Sequence, residues 1–249
     1  MLVDYIRHSE AVGIIRLNRP ERLNAVTPEL IDGLLAGFDQ ADEHGARVLV
    51  LAGSGRSFCA GWDLRQPVLK ESREQARARL QRLQDVTRRT RAFPGPVIAA
   101  VQGYALGAGA EFALGCDLVV AGEDAVFGFP EVEVGLSGTN GASALLPRLV
   151  GLGRAKELVF LGERCDATRA REFGLVCRLV PAGAHEHAAL EIAEQLASKP
   201  PEALRLAKRL LDEGAQSSVD AALQAEVEAA LATLDSGESA AAAGRFQDR

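Results

Sequence analysis

Two glutamates stand beside glycine-rich stretches in a part of the chain that holds no histidine. Glu111 follows the stretch GYALGAGA, and Glu131 lies in the segment FGFPEVEVG. The four histidines are at positions 8, 44, 185 and 187, so a Ser-His triad or a histidine-ligated metal would need side chains from the chain ends. Carboxyl groups donate and accept protons. We therefore predict that Glu111 and Glu131 are the chemical groups of an active site formed by residues 97–138.

The glycines before Glu111 are compatible with a dinucleotide-binding turn. The segment VIAAVQGYALGAGAEFALGCDLVVAG has the pattern of a strand, a glycine turn, a helix and a second strand. The spacing GxGxxG fails at Phe112, whereas the GxxxGxG spacing of short-chain dehydrogenases fits. Those enzymes also require a Tyr-xxx-Lys pair, and neither Tyr5 nor Tyr104 has a lysine four positions on. The fingerprint would also normally open such a chain, so a dehydrogenase is the weaker interpretation.

The same turn can bind a different negative charge. A helix that begins near Gly107 directs its free amides and its positive dipole end at the turn. Residues 53–63, GSGRSFCAGWD, supply a second such turn after a strand. Two backbone amides from separate loops can converge on one oxygen atom, which is how an oxyanion hole is made. The two turns therefore indicate an oxyanion-binding site close to the glutamates.

The elements that position these turns alternate between strands and helices. One helix is expected to start after Thr27, with Pro28 at its first position. Strands are predicted at residues 2–7, 12–18, 47–52, 97–101, 118–121 and 176–180. Further helices are predicted at residues 71–92, 110–114, 153–161, 167–173, 185–197, 201–213 and 218–234. This order predicts an α/β core over the first ~180 residues, followed by a helical appendage.

Two segments leave their role open. Seven arginines lie between Arg73 and Arg91 in one predicted helix. A solvated helix face is the favoured interpretation, and a surface that faces an anion or a second subunit is the alternative. The final segment, rich in alanine and glycine, is expected to be loosely held unless a partner covers it.

The composition narrows the possible functions. The chain has 249 residues, a formal net charge of -6 and only 5% aromatic residues, which disfavours a nucleic-acid binder. No apolar run reaches the ~18 residues of a membrane helix, and the N-terminus carries charges where a signal peptide is apolar. The four cysteines form no CxxC pair and are expected to be reduced. His185 and His187 would point apart on a helix, so no metal site is predicted. We expect a cytoplasmic protein.

Three segments in order along the chain resemble a known family. SFCAGWDL, PVIAAVQGYALGAGAEFALGCDLVVA and AVFGFPEVEVGL resemble the signature segments of the crotonase (enoyl-CoA hydratase/isomerase) superfamily, and IIRLNRPERLNAV resembles its N-terminal part. The match covers roughly residues 3–180. The resemblance implies an α/β fold, a crotonase-like spiral of ββα turns in residues 1–185. It also implies a C-terminal helical region in residues 186–249 that mediates trimers, often paired into hexamers.

The resemblance also implies an acyl-CoA thioester as substrate, with no cofactor besides the coenzyme A that the substrate carries. Family members stabilise a thioester enolate with two backbone N–H groups, which match Trp62 and Ala108 in this sequence. Arg16 and Arg19 would add positive charge near the CoA phosphates, or would lie at a solvated strand end. The positions that match CoA-binding residues are Arg22, Leu23, Ala25, Ala60, Asp63 and Leu64.

Hydratases of this family use two glutamates, which match Glu111 and Glu131. Isomerases typically keep only the carboxylate at the Glu131 position, so the resemblance favours hydration of a trans-2-enoyl-CoA. Double-bond isomerisation, another enolate reaction, or a non-catalytic acyl-CoA-binding protein are the alternatives. In an extended segment Glu133 would share the face of Glu131 and could assist it.

Three departures from the family pattern leave the substrate open. Trp62 replaces a residue that is often small, and Ala108 replaces a common glycine. The segment GLSGTNGAS replaces a loop that is usually richer in glycine and proline. Residues 137–140 contain no carboxylate, which argues against dehalogenase-like nucleophilic chemistry.

Overall fold

The computed structural model describes residues 1–65 and 71–238. Its strands are β1 (Val3–Arg7), β2 (Val12–Leu17), β3 (Val48–Gly53), β4 (Val97–Val101), β5 (Tyr104–Leu106), β6 (Leu118–Gly122), β7 (Val126–Gly128), β8 (Cys165–Asp166) and β9 (Arg178–Val180). A six-stranded sheet has the order β1-β2-β3-β4-β6-β9, and a three-stranded sheet has the order β5-β7-β8.

Helices cover the sheets and form the C-terminal part of the described chain. They are α1 (Pro28–His44), α2 (Arg73–Ala92), α3 (Ala108–Gly115), α4 (Ala142–Val150), α5 (Leu152–Leu161), α6 (Ala167–Phe173), α7 (His185–Ala197), α8 (Pro201–Gly214) and α9 (Val219–Asp235). Two short 3₁₀ helices span Pro20–Arg22 and Pro130–Val134. The second of these carries Glu131.

The central strands of the larger sheet are buried on both faces. Every residue of β3 and β4 is buried, and their sequences VLVLAG and VIAAV are the continuous apolar runs expected of such strands. Leu34 and Phe38 of α1 belong to the core on one face of the sheet. Ala189 and Ala193 of α7 belong to the core on the other face. The glycine turns that follow β3 and β4 therefore start from a rigid sheet.

The chain passes repeatedly from one sheet to the other. β4 in the larger sheet is followed by β5 in the smaller sheet and then by α3, and β6, β7 and α4 repeat this order. β4 pairs with β6 in parallel, and β5 pairs with β7 in parallel, so the successive units stack. Each unit is a ββα turn of a spiral. The predicted α/β spiral is confirmed.

The long helices lie where their apolar spacing predicted them. α1 begins at Pro28, and the Thr27 side chain accepts a hydrogen bond from the Leu30 amide as its N-cap. The prediction missed β5, β7, β8 and α4. Those strands have two or three residues each, and α4 contains Pro147, so none of them shows a long regular pattern. β9 is also shorter than the predicted strand at 176–180.

Five of the seven arginines of α2 form ion pairs within the described residues, and most of this helix face is exposed, as a solvated face requires. Arg82 pairs with Asp32 of α1, and Arg89 pairs with Asp39 and Asp42 of the same helix. Arg79, Arg88 and Arg91 also have carboxylate partners in the chain. Three of these arginines therefore join α2 to α1 or to α8, while Leu83, Val86 and Thr90 face the core.

A buried ion pair attaches α8 to the larger sheet. The Nζ atom of Lys208 lies 2.9 Å from a carboxylate oxygen of Asp117, and the same ammonium donates to the carbonyl oxygen of Gly95 at 2.9 Å. The other donor to Asp117 is the amide of Val97 at the start of β4. The Lys208 side chain is only 8% exposed. This contact fixes the C-terminal helices against the strand that leads into the site.

The C-terminal helices expose many apolar side chains. On α8 and α9 these are Leu211, Val219, Leu223, Val227, Leu231 and Leu234. None of the helices in the described ranges is long and apolar enough to cross a membrane. The last part of the alanine- and glycine-rich C-terminal segment, residues 239–249, lies outside the described residues. The division of the chain at residues 185 and 186 stays a prediction.

Candidate active site

The two glycine turns predicted from the sequence lie against each other. The amide of Cys59 donates to the carbonyl oxygen of Tyr104 at 2.9 Å, and the amide of Leu106 donates back to Cys59 at 3.0 Å. Gly61 has a φ of +88°, and a Cβ atom there would lie 2.7 Å from the carbonyl oxygen of Leu106. Glycine alone combines this backbone angle with so close an approach. The contact brings Trp62 to the turn that begins α3.

A buried asparagine shapes the first turn from a distance in sequence. Asn24 is fully buried, and its Nδ2 atom donates to the carbonyl oxygens of Ser54, Ser57 and Phe58. These bonds hold the chain between β3 and Trp62 in one conformation, because buried carbonyl groups need partners. Sequence reasoning had assigned no role to Asn24.

The backbone amides of Trp62 and Ala108 have no hydrogen-bond acceptor among the described residues. Ala108 is the first residue of α3, and the first-turn amides of a helix lack partners inside it. All eight residues of α3 are buried, so the positive end of its dipole is little screened by water. Two free N–H groups at the rim of one cavity can bind a negatively charged oxygen atom.

A cavity of about 330 Å³ opens beside these amides. The charged side chains that line it are Arg79, Glu111 and Glu131. The rest of its wall is largely apolar and includes Trp62, Leu64, Leu80, Leu83, Val134 and Leu136. The structure therefore brings both predicted glutamates and both predicted amide donors together around one space.

Glu111 is almost completely buried and is held by three hydrogen-bond donors. The Thr139 amide donates to its Oε1 atom at 2.8 Å, and the Thr139 hydroxyl lies 3.4 Å from Oε2. The Nδ2 atom of Asn140 donates to Oε2 at 3.2 Å. Burial raises the pKa of Glu111, and the bonds from Thr139 and Asn140 oppose this shift. These donors stabilise the carboxylate in an apolar setting.

Helix α2 holds the two residues that bind Glu111. Gln84 donates from Nε2 to the carbonyl oxygen of Thr139 at 3.0 Å. The Thr87 hydroxyl donates to the carbonyl oxygen of Asn140 at 3.3 Å. A Cβ atom on Gly138 would lie 3.1 Å from Oε1 of Glu111, so this loop packs closely on the carboxyl group. The position of Glu111 therefore depends on α2 as well as on α3.

Glu131 reaches the cavity from the 3₁₀ helix that follows β7. The amide of Gly107 donates to the carbonyl oxygen of Gly128 at 2.9 Å, which joins this segment to the start of α3. A Cβ atom on Gly107 would lie 3.1 Å from Oε1 of Glu131. Burial raises the pKa of Glu131, and the negative charge of Glu111 raises it further. Each of the two carboxyl groups is therefore more easily protonated than an exposed glutamate.

The expected position of Glu133 is wrong. Residues 130–134 form a 3₁₀ helix and not an extended segment, so residues two apart do not share a face. The Glu133 side chain lies against Gly162, where a Cβ atom would be 2.9 Å from its Cγ, and it does not line the cavity. Glu133 is exposed at the surface.

The predicted CoA-binding residues divide into two groups. Ala60 and Leu64 line the cavity, whereas Arg22, Ala25 and Asp63 do not. The Asp63 carboxylate is paired with Arg19 at 2.7 Å, and this hydrogen bond holds the pKa of Asp63 below its ordinary value. Arg22 is exposed and has no ion pair among the residues that the structure describes.

Arg16 and Arg19, which were expected near the CoA phosphates or at a solvated strand end, are both paired with carboxylates. Arg16 forms two hydrogen bonds of 2.8 and 2.7 Å with the carboxylate of Glu186 on α7. Arg19 is paired with Asp63. Their side chains are 21% and 16% exposed, so neither lies at a solvated strand end, and a role near the CoA phosphates stays a prediction.

The two histidines near the start of α7 have different surroundings. His187 is exposed and lies 3.3 Å from Glu191 on the surface of α7, whereas His185 is half-buried. Within residues 1–65 and 71–238 no three side chains of His, Cys, Asp or Glu are arranged to hold a metal ion.

A family model described as enoyl-CoA hydratase/isomerase matches residues 7–249. The chain belongs to the enoyl-CoA hydratase/isomerase family. It is similar to the short-chain-enoyl-CoA hydratase of Clostridium acetobutylicum, with 35% identity over 221 residues that cover 88% of this chain and 84% of the relative. It is also similar to the 2,3-dehydroadipyl-CoA hydratase of Escherichia coli, with 37% identity over 229 residues, 89% of this chain and 86% of the relative.

Solved structures agree with this membership of the enoyl-CoA hydratase/isomerase family. A crystal structure of enoyl-CoA hydratase from Bacillus anthracis superposes with a TM-score of 0.94 at 35% identity, over 100% of this chain and 96% of the other. The resemblance to the crotonase superfamily is thus confirmed. In this family member, sequence reasoning missed Thr139 and Asn140 as partners of Glu111. It noted their loop only as a departure from the usual pattern, and that departure was the available signal.

Proposed function

We propose that this enoyl-CoA hydratase/isomerase family member adds water to a trans-2-enoyl-CoA thioester. The observation that carries the proposal is that Glu111 and Glu131 line one cavity with the turns that carry the free amides of Trp62 and Ala108. Hydration needs a base for water, an acid for the α-carbon, and donors for the thioester oxygen. These four residues supply all three functions.

The two glutamates have different surroundings, and these suggest their roles. Glu111 accepts three hydrogen bonds, which favour its ionised form. The charge of Glu111 then favours the protonated form of Glu131. Glu111 is the proposed general base, and Glu131 is the proposed general acid.

The atoms and electrons of this reaction balance without any further reagent. Glu111 takes a proton from water while the water oxygen bonds to the β-carbon. The electron pair of the double bond shifts toward the thioester oxygen, and the enolate accepts hydrogen bonds from Trp62 and Ala108. Glu131 then donates its proton to the α-carbon. A proton that passes from Glu111 to Glu131, directly or through water, restores the starting state.

The proposed substrate is an acyl-CoA whose acyl chain fills the apolar part of the cavity. Ala60 and Leu64 at the cavity wall are proposed to contact the CoA portion, together with Ala25 and the exposed cation Arg22. Asp63 acts through its pair with Arg19, because that pair ties residue 63 to the segment before α1. Coenzyme A is part of the substrate, and the reaction as proposed needs no other cofactor.

Isomerisation of a 3-enoyl-CoA is the second candidate. Glu131 has a raised pKa and accepts no hydrogen bond from another described side chain, so one carboxyl group could carry a proton between the α- and γ-carbons. This reaction would leave Glu111 without a chemical role. The three donors around Glu111 therefore favour hydration.

We also propose that the protein forms a trimer, or a hexamer of two trimers. The apolar side chains exposed on α9 repeat at helical spacing at Leu223, Val227, Leu231 and Leu234. Contiguous exposed apolar surface of this kind marks protein interfaces. Sedimentation should give a mass three or six times 26.4 kDa, and a monomer would refute this assembly.

The function is tested by incubating the purified protein with crotonyl-CoA and, separately, with a 3-enoyl-CoA. Loss of enoyl absorbance and mass spectrometry of the products distinguish the reactions. The matched control is the double variant Glu111→Gln/Glu131→Gln prepared in the same way, which reveals any hydratase carried over from the expression host.

We expect crotonyl-CoA to give the 3-hydroxyacyl-CoA with the wild type and not with the control. Conversion of the 3-enoyl-CoA to the 2-enoyl-CoA without any hydration would establish the isomerase instead. Turnover of neither substrate, or equal turnover by the double variant, would refute both candidates.

A further inference from the structure

The hydrogen bonds of Glu111 point to a function for a neighbouring amide. We propose that Asn140 is a positioning residue that holds the Glu111 carboxyl group in both of its protonation states. It donates from Nδ2 to the carboxylate, and after a half-turn of its amide it accepts the carboxyl proton through Oδ1. This inference rests on the proposed function, in which Glu111 gains and loses a proton in every turnover.

The side-chain amide of Asn140 lacks a hydrogen-bond donor for its oxygen atom. Asn140 is 1% exposed, and its Nδ2 atom donates to Oε2 of Glu111 at 3.2 Å. Its Oδ1 atom is buried and accepts no hydrogen bond. A buried acceptor without a donor is unfavourable by about 1–3 kcal/mol, so such an atom calls for an explanation. When the Glu111 carboxyl group is protonated and the amide has turned, the carboxyl proton supplies the donor that Oδ1 of Asn140 lacks.

The two oxygens of Glu111 differ in how their partners can respond. Oε1 accepts from the Thr139 amide at 2.8 Å, and a backbone N–H group cannot become an acceptor. Oε2 is bonded by the Thr139 hydroxyl and the Asn140 amide, and both of these side chains contain an acceptor as well as a donor. The proton taken from water is therefore held on Oε2. Of these two side chains, Asn140 makes the stronger hydrogen bond to Oε2, because its 3.2 Å bond is shorter than the 3.4 Å contact of the Thr139 hydroxyl.

Other groups around Glu111 do not replace Asn140. Arg79 of α2 lines the same cavity, but its guanidinium is paired with Glu71 at 2.6 Å and stacks on the Trp62 ring at 5.0 Å. Glu131 is the other charged side chain of the cavity wall and can only oppose ionisation of Glu111. The Thr87 hydroxyl donates to the backbone carbonyl oxygen of Asn140 and forms no hydrogen bond with its side-chain amide.

The test is a direct titration of the Glu111 carboxyl group, combined with pH profiles of hydration. Carbon-13 NMR of protein labelled at the glutamate carboxyl carbons follows Glu111, whose signal is assigned by its loss in Glu111→Gln. The variants are Asn140→Leu, which removes both donor and acceptor, and Asn140→Asp, which keeps the shape. Thr139→Val is the matched comparison because it removes only the weaker side-chain bond.

We expect Asn140→Leu to raise the pKa of Glu111, because the bond that Asn140 donates to the charged carboxylate is stronger than the bond that it accepts from the neutral carboxyl group. Asn140→Asp should raise the pKa further by adding a like charge, and Thr139→Val should raise it least. The acidic limb of kcat/KM should move to higher pH in the same order. On the plateau, Asn140→Leu should still lower kcat about tenfold, since one hydrogen bond to a charged group is lost. KM should change little, because Asn140 does not line the cavity.

Two results would overturn the proposal. One is a Glu111 titration in Asn140→Leu and Asn140→Asp that superposes on the wild type. The other is a shift in Thr139→Val as large as that in Asn140→Leu. Circular dichroism confirms folding, and Asn140→Asp answers the question if the leucine variant does not fold. The NMR titration needs no substrate, so it stays decisive even if the wild type proves to hydrate nothing and the proposed function fails.

Discussion

Replacing Gly107 by alanine tests whether the position of Glu131 controls the rate. Gly107 has φ +51° and ψ -123°, a conformation that residues with a Cβ atom strongly disfavour. The added Cβ would lie 3.1 Å from Oε1 of Glu131, whereas ordinary contacts are 3.4–4 Å. Glu131 must therefore retreat by a few tenths of an ångström. Since a misplacement of about 1 Å can lower a rate about 100-fold, we expect kcat to fall roughly 3- to 10-fold.

A matched variant separates this displacement from backbone strain. Gly151 also has a positive φ of +80° with ψ 152°, and a Cβ atom there would meet no atom within 4 Å. Each alanine variant should lose about 1–3 kcal/mol of stability, which lowers Tm by roughly 2–12 °C. Hydration of crotonyl-CoA should be impaired only in Gly107→Ala. Equal kcat values for the two variants would refute the positioning argument.

Three further changes have expected outcomes that follow from burial and charge. Lys208→Met leaves Asp117 buried without its cation. The free energy of unfolding at pH 7, measured by chemical denaturation, should therefore fall by about 3–5 kcal/mol. The double variant Lys208→Met/Asp117→Asn should recover part of this loss. Arg22→Ala should raise KM for the CoA substrate roughly 2- to 5-fold at low salt without changing kcat, and the effect should vanish in high salt. Glu111→Gln should raise Tm at pH 7 by roughly 1–8 °C.

The gain in Tm expected for Glu111→Gln depends on pH, because the folded protein shifts the pKa of Glu111. The pKa of Glu111 is raised above its ordinary value of 4.5 by burial. Its contribution to stability is therefore fully present below that value and is lost as the pH rises through the raised pKa. Glutamine does not ionise, so the gain in Tm should shrink as the pH falls through the raised pKa and should be gone below about 4.5. A Tm difference that grows in acid would contradict the assignment.

The stability lost in Lys208→Met should also depend on pH, through the ionisation of Asp117. Burial raises its pKa, and the Lys208 ammonium lowers it again. Removing the ammonium lets the pKa rise further, and protonation of Asp117 then relieves the unpaired charge. The loss of stability in Lys208→Met should therefore become smaller as the pH is lowered. A loss that does not depend on pH would show that the lysine acts through packing alone.

Local sequence patterns predicted the parts of the fold that local forces determine. α1 has regular apolar spacing and a clear start signal in Thr27 and Pro28, and α7 has the bounds that its pattern predicted. β5 and β7 have three residues each and exist because they pair with one another across the spiral. Such pairing depends on tertiary contacts that no short pattern reveals.

The site could be predicted in its parts but not in its contacts. The glycine turns and the two glutamates were visible in the sequence, and the structure brings them to one cavity. The bonds from Thr139 and Asn140 to Glu111 join segments that are far apart in the chain. The pair between Arg16 and Glu186 is another contact of this kind, since it joins residues that are 170 positions apart. Long-range side-chain partners required the structure.

The proposed mechanism requires both Glu111 and Glu131, so removing either carboxyl group should abolish most of the hydration. Initial rates of crotonyl-CoA hydration are measured for Glu111→Gln, Glu131→Gln and Glu133→Gln, the last being a neighbouring carboxylate outside the cavity. We expect the first two variants to lose about 100- to 10,000-fold in kcat and the third to match the wild type. Near-wild-type hydration by Glu111→Gln or Glu131→Gln would contradict the two-carboxylate mechanism.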